Sequence, residues 1–242
     1  MALVVFVDFD GTISKGDVGN EFFLRFGGKV CEMLVEEYRA GKMSARECFR
    51  REIDAMGGIS RAEIDAFVDS QRIDPAFKEF VAFCKDRDVK FHIVSDGLDY
   101  YIYRILEANG ISGVSIFSNI LEISPADASG RSALSISFPH SDAECGVCAC
   151  CKRNIVLSHA GDQDVIAYVG EGFSDQCPVR YADIVFAKDT LQTYCQQQNI
   201  SYHLYASFAD VIDRLNEMTA RKRLRKRHRA ELLRKEIFVS EP

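Results

Sequence analysis

Hydrophobic residues follow two patterns along this chain, and each pattern predicts a different kind of secondary structure. The run from Leu3 to Val7 is uninterrupted, as in a strand that is buried on both faces of a sheet. Between residues 18 and 75, apolar residues instead recur every three or four positions, and glycines stand where helices would end. The predicted helices in this segment are Val18–Phe26, Val30–Tyr38, Ala45–Met56 and Ala62–Val68.

From residue 76 onwards, predicted helices and strands alternate. The helices are Ala76–Arg87, Tyr100–Asn109, Arg153–His159 and Phe208–Thr219. The strands are Val89–Val94, Ser115–Ile123, Leu134–Phe138, Val165–Val169 and Ile184–Ala187, the second and third of them predicted as a hairpin. This alternation is typical of an α/β protein with a Rossmann-like, mostly parallel sheet. We therefore predict a core from residues 1–14 and 76–220, a small helical cap from 15–75 inserted after the first strand, and a basic tail over 221–242.

Composition limits the class of protein. With 242 residues, 47% of them hydrophobic and 27% charged, the chain has the make-up of an ordinary globular protein. The opening apolar run is too short to cross a membrane and has no basic segment before it, so we expect no membrane association and a cytoplasmic location. The nine cysteines, without a secretory signal, indicate reduced thiols rather than a disulfide framework.

Charge is distributed unevenly along the chain. The net charge is −6, but residues 1–220 hold 33 acidic and 21 basic residues, whereas residues 221–242 hold 3 acidic and 9 basic ones. The tail has too few leucines for a wide apolar stripe, so a solvated helix or a frayed end is expected. Weak contact with nucleic acid or with the acidic body of a neighbouring subunit stays open, and the sequence does not define the oligomeric state.

Two carboxylates, Asp8 and Asp10, follow the first predicted strand directly and precede Gly11 and Thr12. Side chains two apart on a strand start on one side of the chain, and a glycine lets the backbone turn behind them. Carboxylates this close share a proton or bind a hard cation, and oxygen ligands suit Mg²⁺. The pattern favours phosphoryl transfer through an aspartyl-phosphate, with Asp8 as nucleophile and Asp10 as general acid. The alternative is a simple acidic turn.

Two further segments offer groups that bind phosphate. Ser95, Asp96 and Gly97 follow a predicted strand, and a hydroxyl with free backbone N–H groups before a helix forms a phosphate pocket. The alternative for Ser95 is a helix-capping serine. Lys152 begins a predicted helix, where its charge would offset a phosphate, although most lysines are solvated surface residues.

A fourth segment carries two more acids. Glu171 and Asp175 lie in a glycine-bearing loop after the strand Val165–Val169. Either Glu171 ligates the cation, or Asp175 does so while Glu171 acts through a water molecule.

The order of these four segments resembles the haloacid dehalogenase-like (HAD) hydrolase superfamily over residues 1–217, whose signatures are similar to DxDGT at the start and GDGxxD in the fourth segment. Glu171 departs from the second signature by one methylene group. The helical insertion resembles the cap of the phosphoserine phosphatase branch, and the segment from Phe138 to Lys152 resembles the methionine-salvage phosphatases. The resemblance implies a HAD-like core and a Mg²⁺-dependent phosphatase of a small phosphorylated metabolite. A phosphotransferase or mutase, and a binding module that has lost the chemistry, are the alternatives.

The cap and the cysteines supply the remaining candidates. The resemblance places Asp17 where a carboxylate meets the substrate, and Arg50 or Arg51 would hold a substrate carboxylate unless they form a solvated helix face. The cluster of His140, Cys145, Cys148, Cys150 and Cys151 begins like a zinc knuckle. A second cysteine pair is missing, so structural Zn²⁺ and buried or redox-labile thiols are alternative interpretations.

Overall fold

The computed structural model describes residues 2–221 and 224–239, so residues 222–223 and 240–242 of the predicted tail lie outside it. The described residues form a mostly parallel sheet of seven strands. The strands are β1 (Leu3–Val7), β2 (Lys90–Leu98), β3 (Ser115–Ile123), β4 (Leu134–Ser137), β5 (Val165–Gly170), β6 (Ile184–Ala187) and β7 (His203–Leu204). Their order is β4-β3-β2-β1-β5-β6-β7, and only the β3–β4 pair is antiparallel. The predicted α/β class is confirmed.

The described helices lie before, between and after these strands. They are α1 (Val18–Gly27), α2 (Lys29–Arg39), α3 (Ala45–Met56), α4 (Arg61–Asp69), α5 (Phe77–Asp86), α6 (Asp99–Ala108), α7 (Lys152–His159), α8 (Asp189–Gln197), α9 (Phe208–Ala220) and α10 (His228–Val239).

The first strand is the centre of the sheet because both of its faces are apolar. Val5 pairs with Phe91 of β2 on one side and with Ala167 of β5 on the other. Alternate side chains of β1 enter two separate hydrophobic clusters, Val5 on one face of the sheet and Phe6 on the other. This burial holds the residues that follow β1 at the middle of the sheet edge.

Helices α1 to α4 form between β1 and α5, as the apolar spacing predicts. Ser44 caps α3 by accepting a hydrogen bond from the backbone N–H of Glu47, and Ser60 and Glu63 form a reciprocal capping box at the start of α4. The two connections of this segment run side by side, since Ser14 and Ile73 form an antiparallel bridge.

The described part of the tail differs from the expected solvated helix. Ala230 of α10 is fully buried, and Nη2 of Arg234 lies 3.0 Å from Oδ1 of Asp183. The backbone N–H of Arg227 donates to the same oxygen at 2.9 Å. The side chain of Asp183 is completely buried, so this acid supplies the charge that holds the basic segment on the body. No helix in residues 2–221 and 224–239 is long and apolar enough to cross a membrane.

Candidate active site

The candidate residues meet at one edge of the sheet because β1, β2 and β5 are parallel neighbours that end there. The backbone N–H of Asp8 donates to the carbonyl of Val169 at 2.9 Å, which ties the acid pair to the segment after β5. A cavity of about 720 Å³ opens at this edge, and Asp8, Asp10 and Glu171 all line it. The segments that the sequence singled out are therefore neighbours in space.

Lys152 is a buried counter-ion, not a solvated lysine. Its Nζ atom lies 2.6 Å from Oδ1 of Asp8 and 2.7 Å from Oδ1 of Asp175, and it donates to Oγ of Ser174 at 2.9 Å. Only 1% of its side chain is exposed. Burial alone would lower the pKa of Lys152, but Asp175 and Asp8 raise it well above the usual value, so the side chain stays charged.

Asp8 is held from two sides. Lys152 contacts one of its oxygens, and the hydroxyl of Thr12 donates to the other at 3.2 Å. Burial and the neighbouring Asp175 raise the pKa of Asp8, and Lys152 opposes this rise. The carboxylate is thus fixed in orientation, as a nucleophile must be.

Asp10 is surrounded by hydrogen-bond donors. Its Oδ2 accepts from the Tyr101 hydroxyl at 2.7 Å and from Oγ of Ser95 at 3.4 Å, and its Oδ1 accepts from the backbone N–H of Gly19 at 3.1 Å. Burial and the charge of Asp17 raise the pKa of Asp10 to about 7, although the bonds from Tyr101 and Gly19 lower it. A carboxyl group of this kind can both give and take a proton near neutral pH.

Glu171 and Asp175, which the sequence left as alternatives, have different surroundings. Oδ1 of Asp175 contacts Lys152 and accepts from the Tyr168 hydroxyl at 2.6 Å. Oδ2 of Asp175 accepts from the backbone N–H groups of Glu171 and Gly172, each at 3.0 Å. Glu171 instead lines the cavity, and burial together with Asp175 raises its pKa to about 7. Asp175 therefore organises Lys152 and the loop, while Glu171 faces the space where a ligand would bind.

The Ser95, Asp96 and Gly97 segment lies within the last residues of β2. Oγ of Ser95 accepts from the backbone N–H of Gly97 at 2.9 Å. A Cβ atom on Gly97 would stand 1.8 Å from the Tyr101 hydroxyl and 2.5 Å from Oδ2 of Asp10, so this position requires glycine. Here the backbone passes directly beside the carboxyl group of Asp10.

Asp96 turns away from its two neighbours and supports the cysteine segment. Its Oδ1 accepts from the backbone N–H groups of Ala149 at 3.0 Å and Cys150 at 2.6 Å. Burial raises the pKa of Asp96 to about 6, whereas Lys152 and the two amide groups lower it. Asp96 thereby fixes the residues that lead into α7 and position Lys152.

The cap residues divide between the cavity and the surface. Asp17 caps α1 by accepting from the backbone N–H of Asn20 at 2.9 Å, and it lines the cavity. Arg50 does not line the cavity and lies over the ring of Phe138 at 5.1 Å. Arg51 is half exposed and pairs with the exposed Glu47 on its own helix. The structure therefore does not bring the two arginines to the other candidates.

The cysteine cluster does not form the zinc site that was one interpretation of the sequence. The thiol of Cys150 donates to the carbonyl of Phe117 at 3.7 Å, and the ring of His140 packs against Phe117 at 5.3 Å. A hydrogen bond from Cys148 lowers the pKa of Cys151 to about 6. Among the described residues, no three His, Cys, Asp or Glu side chains are grouped as a ready-made metal site. All nine cysteines, Cys145 included, are free.

Several residues of the site carry no clear signal in the sequence. Thr12 belongs to the first motif, but the contacts of Tyr101, Tyr168 and Ser174 arise only from the fold. Tyr101 lies in the first turn of α6, and its spacing is that of an ordinary buried helix residue.

The parallel sheet and the acidic cavity at its edge define a HAD-like protein, and solved structures agree. A phosphoserine phosphatase with a phospho-aspartyl intermediate analogue superposes with a TM-score of 0.64 at 15% identity, covering 88% of this chain and 98% of that chain. A HAD family hydrolase from Salmonella enterica serovar Typhi gives a TM-score of 0.63 at 20% identity, covering 85% and 68%. These similarities support the fold.

Sequence comparison identifies the family within this fold. The family model described as "Putative Phosphatase" matches residues 2–217, and the chain belongs to this family. A 2-hydroxy-3-keto-5-methylthiopentenyl-1-phosphate phosphatase from Geobacillus kaustophilus is 33% identical over 219 residues, which cover 89% of this chain and 96% of that protein. The protein of the same name from Geobacillus thermodenitrificans is 29% identical with the same coverage. The chain is thus a phosphomonoester hydrolase.

Proposed function

We propose that this enzyme hydrolyses a small phosphorylated metabolite through an aspartyl-phosphate on Asp8, with Mg²⁺ as cofactor. The observation that carries the proposal is the pair of acids with opposite surroundings at one sheet edge. Asp8 is buried and fixed beside the cation of Lys152, whereas Asp10 is half-buried and accepts hydrogen bonds from neutral donors such as Tyr101. These are the surroundings that a nucleophile and a general acid require.

The residues at the cavity have the donor atoms that the proposed cofactor needs, and binding would draw together side chains that are not already grouped as a metal site within the described part of the chain. Asp8, Asp10 and Glu171 line the same cavity and offer only oxygen atoms, which Mg²⁺ prefers. Lys152 contacts Asp8 but does not itself line the cavity, and among the described residues that line it the only basic one is Arg39. Asp8, Asp10 and Glu171 would hold the ion, which would offset the charge of the phosphoryl group.

The side chains supply the remaining steps. The Asp8 carboxylate attacks phosphorus, and the charge of Lys152 stabilises the phosphoryl oxygens as the bond to the leaving oxygen breaks. The segment of Ser95, Asp96 and Gly97 would position the phosphate, and its Asp96 and Gly97 line the cavity. Asp10 protonates the leaving oxygen and then, as a carboxylate, takes a proton from the water that hydrolyses the aspartyl-phosphate.

The cap segment and the relatives indicate the type of substrate. We propose that residues 15–75 act as a cap that selects the leaving group, on a core of residues 1–14 and 76–220. The relatives named for a 5-methylthiopentenyl phosphate favour a methionine-salvage substrate for this chain. Phe23 and Phe49 give the cavity apolar walls, as a methylthio group would need. The free thiols are consistent with a reducing compartment, so we place the enzyme in the cytoplasm.

The central test distinguishes the roles of Asp8 and Asp10. It uses p-nitrophenyl phosphate, whose leaving group needs no protonation. We expect Asp8→Asn to reduce turnover by at least about a thousandfold because an amide does not attack phosphorus. Asp10→Asn should release a burst of one nitrophenol per enzyme and then stall as the aspartyl-phosphate. Removal of Mg²⁺ by EDTA should stop turnover, and added Mg²⁺ should restore it.

The outcome against the proposal is equally clear. Full activity of Asp8→Asn, or no phosphoryl group on Asp8 in the quenched Asp10→Asn protein, would exclude the aspartyl-phosphate. Transfer of phosphate to an added alcohol in place of labelled water would identify a phosphotransferase. Absence of any turnover in the wild type would leave a binding module.

A further inference from the structure

Glu52 is a buried carboxyl group that the mechanism does not use. It lies on the buried face of α3, is only 3% exposed, and lines the same cavity as Asp8 and Asp10. Glutamate is almost never fully buried unless a cation pairs with it. Because Glu52 lies on α3 at the edge of this cavity, we look for its role in the binding of the ligand.

No cation of the described residues compensates this group. Glu52 forms no ion pair within residues 2–221 and 224–239. One turn earlier, the thiol of Cys48 donates a hydrogen bond to its carboxyl group, and Asp17 adds a second negative charge in the same cavity. Among the described residues that line the cavity, Arg39 alone is basic, and its side chain is exposed.

The same part of the cavity is apolar apart from these acids. Phe23, Val35 and Phe49 line it together with Glu52, and Phe23 packs against Phe49 at 5.4 Å. When Glu52 is ionised, it and Asp17 repel a carboxylate on the substrate, because charges interact strongly beside buried groups. Burial raises the pKa of Glu52 to about 8. A neutral oxygen can form a hydrogen bond with either form of Glu52, since the carboxylate accepts from a hydroxyl group and the protonated group donates to a carbonyl oxygen.

We propose that Glu52 determines the specificity of the enzyme: it hydrogen-bonds a hydroxyl or carbonyl oxygen of the leaving group and rejects leaving groups that carry a carboxylate. This inference rests on the proposed phosphatase function. It assigns the substrate class as phosphomonoesters with an uncharged, oxygen-bearing leaving group and an apolar end. Phosphoserine, which carries a carboxylate, falls outside this class.

The test uses two phosphate esters of the same length that differ only at the end away from phosphate. Glycerol 3-phosphate ends in a hydroxyl group, and 3-phosphoglycerate ends in a carboxylate. Their inhibition constants against p-nitrophenyl phosphate hydrolysis give a ratio that does not depend on the fraction of folded enzyme or on turnover of either compound. We expect the wild type to bind the neutral compound at least about tenfold more tightly.

The Glu52→Gln variant keeps the size and hydrogen-bonding capacity of the side chain but cannot ionise, so the wild type and the variants are compared at pH 9, where the carboxyl group of Glu52 is charged. We expect this variant to reduce the ratio at least about fivefold, mainly through tighter binding of 3-phosphoglycerate. Glu47→Gln is the matched control, because Glu47 lies on the same helix but is exposed and pairs with Arg51. It should keep the wild-type ratio.

Three results would overturn the inference. An unchanged ratio in Glu52→Gln would show that Glu52 does not discriminate between the two ends. An equal loss of discrimination in Glu47→Gln would show that the effect comes from the overall negative charge of α3 and not from Glu52 in particular. Tightest binding of phosphoethanolamine by the wild type, lost in Glu52→Gln, would make Glu52 a site for a cation. Hydrolysis of p-nitrophenyl phosphate by the wild type tests the proposed function separately, since that compound has neither end group.

Discussion

Replacement of Lys152 by methionine tests the charge arrangement on which the site depends. Methionine keeps the length of the side chain but leaves Asp8 and Asp175 buried without their common cation. Each acid has an oxygen within 2.7 Å of Nζ, so these two oxygens are at most about 5 Å apart. At an effective dielectric constant of about 20, two negative charges at this separation repel each other by about 3 kcal/mol. Removing one partner of a buried ion pair typically costs about 3–5 kcal/mol. We expect a loss of unfolding free energy of this size at pH 8.

The loss of unfolding free energy in Lys152→Met should be larger at high pH than at low pH. Without Lys152, one of the two carboxyl groups takes up a proton in the folded state at a pH where the unfolded chain, with an aspartate pKa of about 3.9, does not. A pKa that is raised by folding gives stability at low pH, and this stability is lost as the pH rises through the folded value. The variant should therefore approach the wild type between pH 8 and pH 5. Urea unfolding at both pH values, with EDTA present, measures the difference.

Two further variants control this experiment. Lys235→Met removes an exposed lysine that pairs with Glu231 on α10, and it should unfold at the wild-type urea concentration. Adding Asp175→Asn to Lys152→Met removes one of the two repelling charges, so it should recover part of the stability. An equal loss at pH 5 and pH 8, or no loss at either, would refute the assignment of Lys152 as the buried counter-ion.

Three other predictions follow from single contacts. Gly97→Ala should reduce kcat for p-nitrophenyl phosphate by at least about a hundredfold, because the new methyl group collides with Tyr101 and displaces Asp10, the proposed base for hydrolysis of the aspartyl-phosphate; near-normal kcat would contradict this. Arg51→Ala should change kcat/KM less than about twofold on any substrate in steady-state assays, since its partner is a surface acid, and a raised KM would instead place it in substrate binding. Deletion of residues 221–242 should lower the midpoint of thermal unfolding by about 5–10 °C in scanning calorimetry, because the buried Asp183 loses its charge partner Arg234. An unchanged midpoint would show that the tail does not stabilise the rest of the protein.

The cap helices show which features a sequence makes predictable. The predicted Ala45–Met56 agrees with α3 at both ends, because a regular apolar face and the capping residue Ser44 point to the same boundaries. The segments after β1 and β5 were equally accessible, since strands that are buried on both faces give continuous apolar runs with the candidate residues directly after them.

The elements that were missed lack such signals. Helix α8 has the sequence DTLQTYCQQ, and only Leu191 and Cys195 of it are buried, which is too narrow a stripe to stand out. Strand β7 has two residues, too few for any alternation. The tail was expected to be solvated because its own composition is basic, but its partner Asp183 lies some forty residues earlier in the chain.

The roles within the site depend on contacts between distant segments. Sequence spacing placed Glu171 and Asp175 in one loop but left open which of them would ligate the metal directly. Only the fold shows that Asp175 already accepts four hydrogen bonds, from Lys152, Tyr168 and two backbone N–H groups. Glu52 was overlooked for the same reason. Its position on α3 is one that a core residue would occupy, and an acidic side chain in a helix does not by itself indicate that it lines a cavity.

The fourth segment has Glu171 where the signature GDGxxD has aspartate, and the contact between Glu171 and Gly11 explains how the longer side chain fits. Gly11 has a φ of +69°, which glycine adopts without strain, and a Cβ atom there would lie 3.0 Å from the carboxyl carbon of Glu171. The longer side chain at 171 therefore occupies space that the missing side chain at 11 leaves free. Any larger residue at 11 would strain the turn after Asp10 and force the side chain of Glu171 to shift, so two motifs 160 residues apart depend on each other in the fold.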